Sequence, residues 1–358
     1  MKVFKFAVLC TGSALAAGVQ AQTTVTLSGI VDLAARQVSN QGVGSAKSLV
    51  SGSNATSRLI FSGREDLGTD LYAAFHLEHG LLADTGTQAT ADKFFDRRST
   101  VSLGSKTWGE LRLGRDFVAP YTNWSRYDPF AYVGAARTAN LVSATPNGPI
   151  RAAFGSNANT TVRSDNLLQW LAPSGWGGFE GGLMLAASEG GAVASGQAKL
   201  AGARVGYDAK VWSLSAATAT SQNSQTTAGK FKDTAIGGTV DLAPVRLSAA
   251  WREFKYDQAK QTLLLLGAVA SFGQHEVKAS WTKANMQGRV GATSIDANDA
   301  SQIGLGYVYN LSKRTALYGT LARVSNDGAA RFVITDGPAG MAGGGTSKGF
   351  EFGVRHRF

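Results

Sequence analysis

The sequence predicts an all-β fold, a barrel of about sixteen antiparallel strands that spans a membrane. Three observations carry this. Apolar and polar residues alternate with a period of two along segments of roughly 10 residues, the length of a tilted membrane-crossing strand. Short turns alternate with long polar connections between those segments, as in a barrel whose two rims face different compartments. Beyond residue 21 no cysteine remains and no apolar run could form a membrane helix, while glycine is abundant (44 of 358 residues) and charged residues make up only 17%.

Residues 1–21 read as a secretory signal. Lys2 and Lys5 precede an apolar stretch through Leu9 and Leu15, and Val19-Gln-Ala21 supplies a small-residue cleavage pattern. Cys10, the only cysteine, lies inside this segment, and the large Leu9 before it does not fit lipoprotein processing. Residues 22–358 then form one exported domain without disulfides.

The strands follow in order. Val25, Leu27, Gly29, Val31 and Leu33 alternate with Thr26, Ser28, Ile30 and Asp32. Leu59 and Phe61 alternate with Arg58, Ile60 and Ser62, and Leu71 to Leu77 with Tyr72 to Glu78. Further segments centre on Leu111, Leu168, Leu247, Val277 and Ile303. The last, Gly349 to Phe358, sets Phe350, Phe352, Val354 and Phe358 against Glu351, Arg355 and Arg357. Short turns fall at 65–70, 104–109, 173–178, 207–211, 241–245, 271–275 and 310–314. Long connections fall at 36–53, 83–92, 116–161, 188–197, 221–231, 287–300 and 324–347. Trp108, Trp212, Phe272, Tyr309 and Phe358 suit an interfacial girdle. Two segments fit poorly. Leu263 to Leu266 is a continuous apolar run, and Arg97 shares a face with Val101 and Leu103. An inward Arg97 would give that strand a polar exterior suited to burial against another subunit; a register slip of one would put Arg98 in the lumen instead.

Blocks along the whole chain resemble the Gram-negative general porins, most of all their beta-proteobacterial, anion-preferring branch. They are Val25-Thr-Leu-Ser-Gly-Ile-Val-Asp32, Ser57-Arg-Leu-Ile-Phe-Ser-Gly-Arg-Glu-Asp-Leu-Gly68, Phe95-Asp-Arg-Arg-Ser-Thr-Val-Ser-Leu103, Trp108-Gly-Glu-Leu-Arg-Leu-Gly-Arg115 and Tyr309-Asn-Leu-Ser-Lys-Arg-Thr-Ala-Leu-Tyr318, with the terminal Phe358. The resemblance implies a homotrimer of 16-stranded barrels in the outer membrane of a Gram-negative bacterium, surrounded by lipid and lipopolysaccharide. It implies passive diffusion of small hydrophilic solutes, and a constriction loop, about 116–161, folded into the lumen.

Such a pore needs no reactive group, but a narrow wet passage with a field across it. By the resemblance, Arg58, Arg97 and Arg163 match the family's basic ladder at the constriction, with Arg64 and Arg112 as weaker wall candidates nearer the short turns. Arginine suits this task, because its charge is permanent and its planar donors meet carboxylate or phosphate. Asp116 and Asp128 are the acids available on the loop, a thin acidic side that argues for an anion-selective channel; Asp32 and Glu78, also on inward parity, would offset part of the positive field. The alternatives are a substrate-specific channel for an organic acid or phosphate, and a barrel-anchored adhesin using loops 36–53 and 324–347. His76 and His79 face opposite sides of a strand and cannot share one metal ion. The four histidines form no recognisable Ser/His pair for a barrel lipase. The +10 net charge is spread over strands without a basic run, against nucleic-acid binding. The reading therefore includes no enzyme activity and no cofactor.

Overall fold

The computed structural model describes residues 24–142, 147–155, 158–187 and 198–358. The leader at 1–21 and the long connection at 188–197 lie outside the described residues. Sixteen antiparallel strands form one closed barrel. They are β1 (Thr24–Asn40), β2 (Arg58–Gly68), β3 (Leu71–Leu82), β4 (Arg98–Ser105), β5 (Gly109–Phe117), β6 (Arg163–Leu171), β7 (Phe179–Ala186), β8 (Lys199–Asp208), β9 (Trp212–Gln222), β10 (Phe231–Leu242), β11 (Val245–Tyr256), β12 (Ala259–Phe272), β13 (His275–Val290), β14 (Ala300–Asn310), β15 (Thr315–Asn326) and β16 (Thr346–Arg357). Three shorter strands, Gly44–Ser51, Thr87–Gln88 and Thr293–Ser294, extend the long connections.

The last strand closes the barrel onto the first. β16 pairs with β1 from Ile30↔Arg357 to Asn40↔Ser347, and the amides of Gly29 and Phe358 exchange hydrogen bonds at 3.0 and 3.1 Å. A sheet edge left open in lipid would strand a row of backbone groups without partners, so closure is obligatory for a membrane barrel. Alternation then sorts the side chains. Leu27, Leu183, Leu214, Leu264, Leu305, Phe350 and Phe352 all point outward and exposed, the reverse of a water-soluble sheet.

The two segments that fit the pattern poorly now have physical accounts. β4 begins at Arg98, and Arg97 sits in the bend before it. Parity does not extend through a bend, so Arg97 turns inward while Val101 (56% exposed) and Leu103 (43%) face outward. The exterior of this strand is apolar, and the expected polar outer face is absent. In the Leu263 to Leu266 run, Leu264 and Leu266 face outward, whereas Leu263 and Leu265 are fully buried inward. The inward pair needs an apolar partner inside the barrel, and the loop between β5 and β6 supplies it.

The connection expected at 36–53 is largely strand. β1 runs on to Asn40 and turns back as Gly44–Ser51. One edge of β1 therefore pairs with two segments, residues 33–40 with Gly44–Ser51 and residues 24–30 with β2. The chain between them, 52–57, bulges inward. Asp32 is fully buried beneath this bulge, and its carboxylate accepts the amides of Ser53 (3.2 Å), Asn54 (3.0 Å) and Ala55 (2.7 Å) and the Tyr318 hydroxyl. Asp32→Ala strands those donors and is expected to lower stability by about 1.5–3 kcal/mol, the scale of hydrogen bonds to a charged group. A denaturant midpoint in detergent micelles equal to wild type would count against this role.

Candidate functional site

The loop between β5 and β6 lies inside the barrel. Its helix α1 (Ala119–Tyr127) starts at a proline in its first turn and ends at Asp128, where the chain turns extended. The Asp128 carboxylate holds that turn, accepting the amides of Phe130 (2.9 Å) and Tyr132 (3.1 Å) and the Thr138 hydroxyl (2.7 Å). Burial pushes this carboxyl above the usual range, and those hydrogen bonds oppose the shift. Beyond it the loop crosses to the far wall. Ala135 donates its amide to Glu351 on β16 at 2.9 Å. Gln302 on β14 donates to the Ala136 carbonyl and accepts from Asn140, both at 2.8 Å, and Gln261 on β12 donates to the Leu141 carbonyl at 2.5 Å. A second helix, α2 (Pro149–Phe154), and a short 3-10 turn (Ala158–Thr161) follow in the described part of the loop. Trp124, Tyr127, Phe130, Leu141 and Phe154 form the underside, packed on Leu263, Leu265 and Phe254 of the wall.

Close approach needs bare backbone where the loop meets the wall. A Cβ at Gly237 would stand 2.3 Å from the Tyr127 ring, one at Gly267 2.5 Å from Pro129, and one at Gly304 2.6 Å from Ala136. These three glycines, on β10, β12 and β14, form a seat for residues 127–136. Gly304→Leu is expected to cost about 1–3 kcal/mol by overpacking and to shift single-channel conductance, because the loop must lift. Unchanged conductance and stability together would remove the seat argument.

The loop is held against β8–β16, and open lumen remains between it and the rest of the wall. A cavity of ≈ 790 Å³ there is lined by Arg58, Arg97, Arg163, Lys278, Arg355 and Arg357. Glu276 is the acid in that lining among the described residues, and it pairs with Lys278 at 3.1 Å. The three arginines matched to the ladder come together. Arg58 and Arg97 share one oxygen of Glu78, at 3.2 and 2.5 Å, and Arg163 donates Nε to the Arg97 carbonyl at 2.9 Å. Arg163 also lies 4.5 Å over the Phe117 ring. Phe117 stacks on Tyr121 (centroids 4.9 Å apart), and Tyr121 meets Tyr132 edge to face at 5.2 Å. Burial raises the Tyr121 hydroxyl's pKa, and the nearby Arg163 and Arg97 charges pull it back.

The other candidates sit elsewhere. Arg64 and Arg112 line a second, lower space of ≈ 300 Å³ together with Arg98 and Glu110. Arg98 therefore also faces inward, but nearer the short turns. Asp116 is buried at the end of β5, accepting from Arg112 at 2.7 Å, with Arg98 at 3.4 Å. Asp128 is buried within the loop itself. Arg252, on inward parity, is fully buried against Asp233 at 2.7 Å, and Arg204 pairs with Glu180 at 2.6 Å. His76 meets Glu78 at 3.3 Å, whereas His79 turns to the Phe94 carbonyl. Arg355 and Arg357 were absent from the expected constriction. Period-two parity had put both on the charged face of β16, but parity carries no information on depth along the barrel axis.

A family model described as Gram-negative porin matches residues 6–329. The chain belongs to this family. It is 34% identical to outer membrane porin protein 32 of Delftia acidovorans, over 94% of this chain and 95% of that one. An outer membrane porin protein of Bordetella pertussis matches at 32% identity over 51% of this chain and 47% of its own. Among solved structures, an anion-selective porin from Comamonas acidovorans superposes with a TM-score of 0.77 at 33% identity, covering 94% of this chain and 100% of that one. OmpT of Vibrio cholerae in its trimer form, at 12% identity and a TM-score of 0.64 over 94% of this chain and 99% of its own, shares the fold alone. This porin is accordingly an outer-membrane channel.

Proposed function

We propose that this porin passes small hydrophilic solutes by diffusion and favours anions, with Arg58, Arg97 and Arg163 at the constriction and Arg355 and Arg357 completing the basic wall. Arg64 and Arg112 act as weaker wall charges below it. One observation carries the reading: among the described residues, six basic side chains and one acid line the cavity beside the loop. Charges on a low-dielectric wall focus their field across a narrow lumen and concentrate counter-ions there. The selectivity of the Comamonas relative supports the same sign. The channel works without catalysis. It assembles as a homotrimer with its apolar belt in outer-membrane lipid and lipopolysaccharide. Residues 1–21 are removed on export. Planar-bilayer reversal potentials in a KCl gradient test the selectivity: chloride is expected to be the more permeant ion, and a potassium-favouring potential would reject the reading.

A further inference from the structure

The two sides of the passage differ in kind. The barrel wall presents guanidinium groups from Arg58, Arg97, Arg163 and Arg355. Beside them runs an aromatic row: Phe117 on the wall at the end of β5, cross-strand neighbour of Arg163, then Tyr121 on α1 and Tyr132 beyond it, in ring contact in turn. No carboxylate joins them among the described loop residues of the lining. A loop opposing a basic wall in order to set a field across the lumen needs acids. This one offers flat apolar surface within a few ångströms of the cations, and Phe117, under the Arg163 guanidinium on the wall, links it to the loop by stacking on Tyr121.

A solute that uses both sides must be charged at one end and flat and apolar at the other. Arginine's planar donors take a carboxylate in a two-point fork. Tyr121 and Phe117 then offer an offset-stacked or edge-on contact to a ring, with a preference beyond simple area burial. Chloride and inorganic phosphate can use only the cationic side.

We propose that the passage discriminates among anions in favour of aromatic monocarboxylates of the benzoate type. The inference rests on the anion-selective reading above and deepens it. Passage remains diffusive, and the aromatic side adds a weak, saturable station for the ring.

The test uses the full-length porin in planar bilayers, with chloride current as the readout and benzoate, cyclohexanecarboxylate or acetate added. Benzoate is expected to reduce the chloride current saturably, at about one-third or less of the concentration acetate needs, with cyclohexanecarboxylate in between. Tyr121→Ala is expected to weaken the benzoate effect roughly three- to tenfold, the scale of one aromatic contact, and the acetate effect less. Phe117→Leu, which keeps bulk and removes the ring, guards against a Tyr121 variant that misplaces the loop; it should weaken benzoate block more than acetate block. Equal block by benzoate and acetate, in a channel that still favours chloride, overturns this inference and leaves the anion-selective reading intact. Equal block by benzoate and cyclohexanecarboxylate overturns the aromatic preference. A potassium-favouring potential removes the underlying reading first.

Discussion

Glu351→Ala is expected to destabilise this porin by about 3–5 kcal/mol and to release its constriction loop. The side chain is fully buried (0% exposed). One oxygen accepts from Arg36, whose Nη2 stands at 2.7 Å and Nε at 2.8 Å, and the other accepts the Ala135 amide at 2.9 Å. Removing it leaves the Arg36 charge in a low-dielectric interior and the loop amide without its acceptor. Breaking a buried pair from one side costs in that range, because the remaining charge is not rehydrated. Asp336 keeps a 2.5 Å contact with Arg36, but that carboxylate is 42% exposed and solvent weakens its hold, so the lower end of the range is the firmer expectation. The denaturant midpoint of refolded protein in micelles measures the first effect, and larger or noisier single-channel currents measure the second. Glu351→Gln separates them: the amide oxygen can still receive Ala135, so loop placement should survive while the charge pair is lost. A Glu351→Ala channel with wild-type midpoint and conductance would mean the loop is held by its apolar underside and the Gln302 and Gln261 contacts without Glu351.

What was legible in the sequence, and what was not, follows from the kind of information a period of two contains. Alternation fixes which face each strand residue takes, so the greasy exterior, the basic interior and the closing terminal strand could all be read from residues such as Phe350, Glu351 and Phe352. The resemblance located the loop and the residues matched to its basic ladder. Two things lay beyond pattern. Parity fails where a strand stops, and Arg97 stands one residue outside β4, so the choice between Arg97 and Arg98 dissolved: both face inward, at different depths. Pattern also cannot say whether a polar side chain meets water or the protein's own backbone. Asp32 and Asp128 look like lumen acids in the sequence. In the fold Asp32 collects the amides of 53–55, and Asp128 those of 130 and 132. Glu78, on inward parity, is the acid that does meet the ladder. The glycine seat had no signal at all, since a glycine opposed by a loop and a glycine opposed by water are written alike.

The sign of the channel gives the other large effect. Arg163 and Arg355 line the cavity without a carboxylate contact among the described residues; Arg163 donates to a backbone carbonyl, and Arg355 to Asn54 at 2.5 Å. A unit charge about 4 Å from a permeating ion is worth about 1 kcal/mol even in bulk-water dielectric, about fivefold in relative permeability. Neutralising both as Arg163→Gln/Arg355→Gln is therefore expected to lower the chloride-to-potassium permeability ratio about tenfold, once screening is allowed for. The expectation carries its own control of opposite sign. Glu78 sits between Arg58 and Arg97, so Glu78→Gln adds a net positive charge beside the same passage and should raise the ratio. Screening supplies a second control. The Debye length falls from about 10 Å at 0.1 M to about 3 Å at 1 M salt, so the gap between wild type and the double variant should narrow as KCl is raised through that range. A selectivity set by pore width would respond to neither the sign of the substitution nor the salt. If Glu78→Gln and the double variant shift the reversal potential in the same direction, the field of these side chains is not what chooses the ion.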